Sequence, residues 1–401
     1  MSDAGYEVLT EQTVAKYVRS RPELAALVDA ASLDVHEVGD GNLNLVFVCR
    51  DERHASLVLK QSLPYVRVVG PSWPLTADRS HAEARGLRAA AHASPATSPQ
   101  LFGYDAEQHV LAMEDLSHLA VLRTALNDGR AVDGEVAACA RHVARLLFHT
   151  GVLAQSEQQH RDAVASSINH ALCGITEALV FNEPFVGHDN NAFSPVLEPH
   201  VSALRDDPAV RREVSRLEHC FMNQPEALVH GDLHTGSVMV GEDPDGSVIV
   251  KVIDPEFCFY GPIAFDIGTL LANLLFATVR AWCLDDIARH GRLAELPAEL
   301  WYAFTDEFWS LWPARANRTM TEADANAWLD EIAHDSLGFA GCEAVRRIVG
   351  FAKVADIETL EPELHATAAA QVLHTAHRWL AGAVPAPLRS FSWSFATRQT
   401  G

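Results

Sequence analysis

The chain has 401 residues, long enough for two cores rather than one, with 53 acidic against 31 basic side chains and a formal charge of −22. That excess of negative charge argues against nucleic acid or an anionic membrane surface as a partner, and a phosphorylated ligand would need a local cluster of cations. The seven cysteines are odd in number, dispersed and never spaced Cys-x-x-Cys, which fits reduced thiols and indicates neither a disulfide framework nor a cysteine zinc site.

In chain order, residues 34–38, 45–49, 57–60 and 111–113 read as strands. One helix lies between the last two. It is announced by Ser80-x-x-Glu83, a capping box after Asp78, and runs through Leu87 into the alanines before Pro95. A small antiparallel sheet carrying a single helix is therefore expected in residues 1–113. After Ser117 the period becomes helical, with Val136, Ala140, Val143 and Leu147 on one face. Residues 237–240, the turn Asp243-Pro244-Asp245-Gly246 and residues 248–253 predict a hairpin. Helical patterns return at Asp266 and continue to Pro385-Ala386-Pro387. The expected fold class is α+β, with a boundary at residues 114–119 and a larger, mainly helical unit over 120–401. No amino-terminal run resembles a signal peptide, and the longest apolar stretch, 267–279, is too short to span a bilayer, so a cytosolic protein is expected.

The chemistry concentrates in His230-Gly231-Asp232-Leu233-His234-Thr235-Gly236-Ser237 and, after the hairpin, Asp254-Pro255-Glu256-Phe257. One carboxylate sits on a loop and another at a strand end. Phosphoryl transfer from ATP asks for this: a loop Asp to accept the nucleophile's proton, and a second carboxylate to hold Mg²⁺ against the nucleotide phosphates. His230 and His234 are four apart, but Gly231 stands where a zinc protease needs glutamate, and the two glycines disfavour a helix. Those histidines are expected to hold the loop that aims Asp232.

Upstream, Gly39-Asp40-Gly41-Asn42-Leu43-Asn44 lies between strands. It reads as a plain Asp-Gly hairpin turn, or as a loop whose backbone approaches a triphosphate. Lys60, closing the apolar strand that follows, favours the second reading over a solvent-facing edge lysine. Glu83 has two rival tasks, pairing with Lys60 or completing the capping box, and the sequence leans to the cap. Glu114, Asp115 and Leu116 would offer backbone groups to an adenine edge, or form a simple linker. Asp266 would cap its helix or brace the catalytic loop from beneath. Arg346-Arg347 is either a solvated face or an anion clamp.

These segments resemble the methylthioribose kinase family, small-molecule kinases with a bilobal protein-kinase-like fold. The likeness covers most of the chain. It rests on 38–47, on Lys60 to Arg67, on Ser72-Trp73-Pro74-Leu75-Thr76, on Glu114-Asp115-Leu116, on His230 to Ser237, on Asp254-Pro255-Glu256-Phe257, and on Arg346-Arg347 with Ala355-Asp356-Ile357-Glu358. What the resemblance implies is ATP-dependent phosphorylation of the 1-hydroxyl of 5-methylthioribose in methionine salvage, by a homodimer. It makes Asp232 the base. It puts Gly39, Gly41, Asn44 and Lys60 on the nucleotide phosphates, Glu114 to Leu116 on the adenine, and Mg²⁺ on Asp254 and Glu256. Arg346 and Arg347 would steady the phosphoryl group or the sugar, beside a loop carrying Trp73. Compared with protein kinases, Asn44 replaces the third glycine of the nucleotide loop and Ser237 replaces a metal-binding asparagine. Two other readings stay open: a kinase for a related 5-deoxy sugar, since one missing apolar group discriminates by only ~1–3 kcal/mol, and a catalytically silent nucleotide-binding module.

Overall fold

The computed structural model describes residues 6–39, 43–130, 133–382 and 388. Gly41, assigned above to the nucleotide loop, and the proline pair of the tail lie outside them.

Five strands form an antiparallel sheet: β1 (Asp34–Glu37), β2 (Asn44–Arg50), β3 (Ser56–Ser62), β4 (Leu101–Asp105) and β5 (Val110–Met113), in the spatial order β1-β2-β3-β5-β4. Four of these were legible in sequence; β4 was not. Alternation along β3 sets its two faces apart. Leu57 and Leu59 point into a core with Phe47, Val14 and Val18, whereas Val58 packs on the other side with Leu111 and Met113. Lys60 shares the parity of Val58, and with β2 and β5 paired on either side of β3 it is not an edge lysine. Two helices that the strand-rich reading passed over, α1 (Glu11–Arg19) and α2 (Pro22–Ala25), close the first face.

The second face is covered by α3 (Arg79–Ala93), whose Ala84 and Leu87 pack on Leu111 and Met113. Its start corrects the expected capping box. No side chain caps this helix, and Ser80 Oγ instead donates to the Ala77 carbonyl at 2.9 Å. Glu83 is left free to face the sheet, one turn before Leu87 and on the same stripe.

The remaining chain builds a larger, mainly helical core from residues 122 to 388. After β6 (Ala120–Val121) and α4 (Leu122–Asp128), helix α5 (Glu135–Thr150) packs against the helix Ile287–Leu311. The expected hairpin is present as β8 (Val238–Glu242) and β9 (Val248–Val252), turned by Gly246 at φ 82° and preceded by the short strand β7 (Ala227–Val229). Two long helices cross at the centre. An ideal Cβ on Gly268, in Ile263–Cys283, would sit 2.7 Å from Phe339 Cβ of Glu322–Val349. That close approach fixes Asp266 at one helix's start relative to Arg346 and Arg347 at the other's end. Ile263–Cys283 is long and apolar enough to cross a membrane, but 94% of its apolar window is buried within the fold. All seven cysteines are free thiols, six of them buried.

Candidate active site

Lys60 reaches out of β3 to two carboxylates. Its Nζ donates to Glu83 Oε1 at 2.7 Å and to Asp254 Oδ1 at 2.7 Å. Glu83 therefore pairs with the lysine, the task the sequence reading ranked second. Burial works against the lysine's charge, but Asp254, Glu83 and Glu256 together hold it protonated, above its ordinary range. Asp254 follows β9 at φ 63° and ψ 45°, a left-handed conformation that an L residue adopts only when its surroundings hold it. Burial raises its carboxyl, and the charge and hydrogen bond of Lys60 outweigh that and lower it. It is ionised at neutral pH.

The loop after β7 is braced from beneath, as one of the two readings of Asp266 required. Buried Asp266 accepts the backbone N–H of His230 on Oδ2 at 2.7 Å and that of Gly231 on Oδ1 at 2.9 Å. His230 Nε2 meets the carbonyl of Ile253 at 2.8 Å, so Nε2 carries the proton and ties this loop to the residue before Asp254. Gly231 has φ 82°, and a Cβ there would lie 2.4 Å from the Phe257 carbonyl oxygen. Asp232 follows. Its Oδ2 is 3.5 Å from His234 Nε2 and its Oδ1 is 3.8 Å from Arg347 Nη2. Burial would raise this carboxyl, but His234, Arg346, Arg347 and His230 overcome it and hold it at about 2. Asp232 is thus an anion at any working pH, still 23% exposed and open to a substrate hydroxyl. The histidines serve the loop, as expected.

Glu256 and Asn44 touch directly and share a partner the sequence gave no sign of. Fully buried Arg79 donates to the carbonyls of Leu63 (2.7 Å), Thr76 (2.8 Å) and Leu43 (2.9 Å) and to Asn44 Oδ1 (2.9 Å). Its Nε lies 3.2 Å from Glu256 Oε2, which also accepts Asn44 Nδ2 at 2.9 Å. Among the described residues no three His, Cys, Asp or Glu side chains form a ready-made metal cage. Nucleotide-bound Mg²⁺ does not need one, since it takes one or two carboxylates and completes its shell with phosphate oxygens and water. Asp254 has a side chain 46% exposed, and Glu256 Oε1 has no partner among the described residues. The donor set fits that ion. Gly39 contributes a carbonyl to Arg67 at 3.4 Å.

At residues 114–116 the side chains are engaged, and so are two backbone groups: the Glu114 N–H donates to the Gln100 carbonyl at 2.9 Å and the Leu116 carbonyl accepts the Leu119 N–H at 2.9 Å. Glu114 accepts Lys251 Nζ at 3.2 Å and the Gln100 N–H at 3.0 Å; Asp115 accepts Arg50 at 3.0 Å and the Ser117 N–H at 2.9 Å; Leu116 is buried. The carbonyl of Glu114 and the N–H of Leu116 have no partner among the described residues, leaving the acceptor and donor that an adenine edge requires.

Arg346 and Arg347 do not form a solvated face. Both bond a buried carboxylate one turn earlier: Arg346 Nη1 to Glu343 Oε2 at 2.9 Å and Arg347 Nε to Glu343 Oε1 at 2.6 Å. Burial opposes the Arg347 charge, and Glu343 with Asp232 restores it. Glu343 was passed over in sequence, although its i, i+3 and i, i+4 spacing to the arginines was the available signal. Trp73 packs its ring against Phe351 with centroids 5.7 Å apart, so the tryptophan loop reaches the segment just past the arginine pair. Lys60, Glu83, Asp232, Asp254, Arg346 and Arg347 are thus linked by direct contacts or through one braced loop.

A family model described as the phosphotransferase enzyme family matches residues 34–302. The methylthioribose kinase of Yersinia pseudotuberculosis is 39% identical over 373 residues, covering 89% of this chain and 88% of its own. That of Geobacillus thermodenitrificans is 37% identical over 366 residues, covering 90% and 89%. Among solved structures, choline kinase from Cryptosporidium parvum aligns with a TM-score of 0.51 at 11% identity, covering 91% of this chain and 95% of its own, a likeness of fold alone.

Proposed function

Since this chain belongs to the phosphotransferase enzyme family and, within it, to the methylthioribose kinases, we propose that it transfers the γ-phosphoryl group of ATP to the 1-hydroxyl of 5-methylthioribose. The observation that carries the reading is an ionised Asp232 beside buried Arg347 and within the field of Arg346, on a loop tied to the segment that ends in a lysine-held Asp254. A loose phosphoryl transition state needs alignment and charge neutralisation more than covalent help, and this site offers both.

Asp232 orients the sugar hydroxyl and takes its proton as the bond to phosphorus forms. Its low basicity suits a late transfer, when the hydroxyl has already become acidic. Arg346 and Arg347 steady the phosphoryl oxygens, with Glu343 fixing both forks so that little is reorganised during transfer. Lys60 turns its charge to the nucleotide phosphates, and Glu83 holds its stem in place. Asn44 and the backbone at Gly39 border those phosphates, Glu114 to Leu116 receive the adenine, and Trp73 closes over the sugar. Bound between Asp254 and Glu256, Mg²⁺ would neutralise charge on the nucleotide phosphates.

The division into an amino-terminal unit (1–113), a hinge (114–119) and a carboxy-terminal unit (120–401) is supported by separate apolar cores ending at Ala112 and resuming at Leu122. A cytosolic homodimer acting in methionine salvage completes the reading, and sedimentation velocity tests the assembly. The enzymatic test is ADP release with MgATP and a panel of 5-methylthioribose, 5-deoxyribose and ribose, for the native protein and Asp232→Asn. Turnover highest on 5-methylthioribose and lost in the variant is expected. Preference for 5-deoxyribose would replace the substrate, and nucleotide binding without turnover would replace the enzyme by a silent module.

A further inference from the structure

A third arginine lies over the catalytic loop. Arg123 sits in the first turn of α4, and two residues from distant parts of the chain aim it. Its Nε lies 3.2 Å from Oδ2 of Asp356, beyond the arginine pair in Ala355–Glu358. Its Nη2 donates to Oδ1 of Asn273 at 2.9 Å, and Thr235 of the catalytic loop donates to the same oxygen at 3.3 Å. Asp356 and Asn273 are both fully buried, so Nη2 is held by a hydrogen bond and Nε by the facing charge of Asp356, without a hydrogen bond.

The remaining nitrogen, Nη1, makes no hydrogen bond among the described residues, and the Arg123 side chain keeps 20% of its surface exposed. Its direction is recorded by a neighbour. An ideal Cβ on Gly236 would lie 2.8 Å from Nη1 and 2.9 Å from His234 Cε1, so the guanidinium passes over the loop where the loop has no side chain. Asp232 and Arg347 are near enough for their charges to act on Arg123. Because Asp356 already balances its charge, the arginine reaches the site as a near-neutral pair with a spare N–H fork. That suits a neutral hydroxyl, while Arg346 and Arg347 stand closer to Asp232 for the phosphoryl group.

We propose that Arg123 binds the acceptor sugar, donating from Nη1 to a ring hydroxyl other than the one phosphorylated at Asp232, and that Asp356 and Asn273 are the positioning residues that aim it. The assignment rests on the sugar-kinase reading above.

The test measures kcat and KM at saturating MgATP for 5-methylthioribose and its 2-deoxy and 3-deoxy counterparts, with the native protein and Arg123→Met. The variant is expected to raise KM for the parent sugar by about tenfold or more while KM for ATP stays within about twofold. One deoxy sugar, poor with the native protein, should lose nothing further with the variant, because the donor that reads the missing hydroxyl is already gone. Gly236→Ala should shift sugar KM in the same direction by crowding Nη1. Full, additive penalties for both deoxy sugars, or an unchanged sugar KM, overturn the assignment. If Arg123→Met does not fold, Asp356→Asn replaces it: a rise in sugar KM alone supports the aim, and equal effects on both substrates, or none, refute it. Native turnover is the control. Its absence sinks the choice of sugar and moves the comparison to deoxy forms of whichever sugar is turned over, whereas turnover without the expected pattern sinks Arg123 alone.

Discussion

Replacing Arg79 by leucine removes the one cation that, among the described residues, pairs with Glu256 and bonds the strand-bearing segment around Asn44 and Leu63. The arginine donates to three backbone carbonyls and to Asn44, and it lies 3.2 Å from the Glu256 carboxylate, all away from solvent. Breaking a buried ion pair by deleting one partner costs ~3–5 kcal/mol, because the other charge is left uncompensated. The stranded carbonyls add to that if water cannot reach them. Set against a typical stability of ~5–15 kcal/mol, such a loss is a large fraction. With a urea slope of ~2 kcal/mol per molar, the midpoint of the amino-terminal transition should fall by roughly 2 M. Circular dichroism in a urea series measures it. Lysine at this position should recover little, since one ammonium cannot replace a planar fork that meets five acceptors. The magnesium concentration for half-maximal ADP release should also rise, because Glu256 loses what orients it. A midpoint within about 0.3 M of native, with unchanged magnesium dependence, would refute the account of this arginine as the joint.

Arg347→Ala should lower kcat/KM by about 10²–10³-fold in a protein that still folds but melts earlier, since Arg346 holds Glu343 Oε2 while Oε1 loses its partner; unchanged kinetics would return the pair to a surface role. Lys60→Met should abolish ADP release while far-ultraviolet circular dichroism stays native, and residual turnover above a few per cent would contradict its place on the phosphates. The Asp232 carboxyl, held at about 2 against an ordinary 3.8, binds its proton more weakly folded than unfolded, so its contribution is full above pH ~4 and disappears as pH falls through about 2. The difference in melting temperature between native and Asp232→Asn should therefore grow from pH 2 to 4 and then level off. His142 is buried and held neutral to about 3 by its burial and by the charges of His230 and Arg145, so the unfolded chain binds a proton there below pH ~6.5 while the folded one does not. Stability should rise with pH across that window, and His142→Gln should flatten the slope; an unaltered slope would show that this histidine titrates normally.

The residues proposed to face the nucleotide and acceptor stood out because the chemistry proposed for them depends on local spacing: an acid on a glycine-flanked loop, another at the end of a hairpin, a lysine closing an apolar strand. What escaped depends on tertiary partners. Arg79 acts on Asn44 and Glu256, far before and after it in the chain, and in sequence it is only the first residue of a helix. Glu83 was ambiguous because Ser80-x-x-Glu83 satisfies a local rule; the ion pair with Lys60 wins because Ser80 finds the Ala77 carbonyl instead. Strand β4 was missed because all five of its residues are half-buried, which blurs the alternation that marks a strand. Helix α1 did leave a trace in Val14, Tyr17 and Val18, three buried side chains at helical spacing.

Gly231 has a wider consequence. With its backbone pressed so near the Phe257 carbonyl that no methyl group would fit between, Asp232 and Asp254 are mounted on segments packed backbone against backbone. On the proposed division of the chain, opening and closing around a nucleotide would be absorbed elsewhere, at the 114–119 connection and the loop bearing Trp73. The acids would keep a constant mutual spacing through every turnover, like two jaws cast in one piece while the lid alone swings.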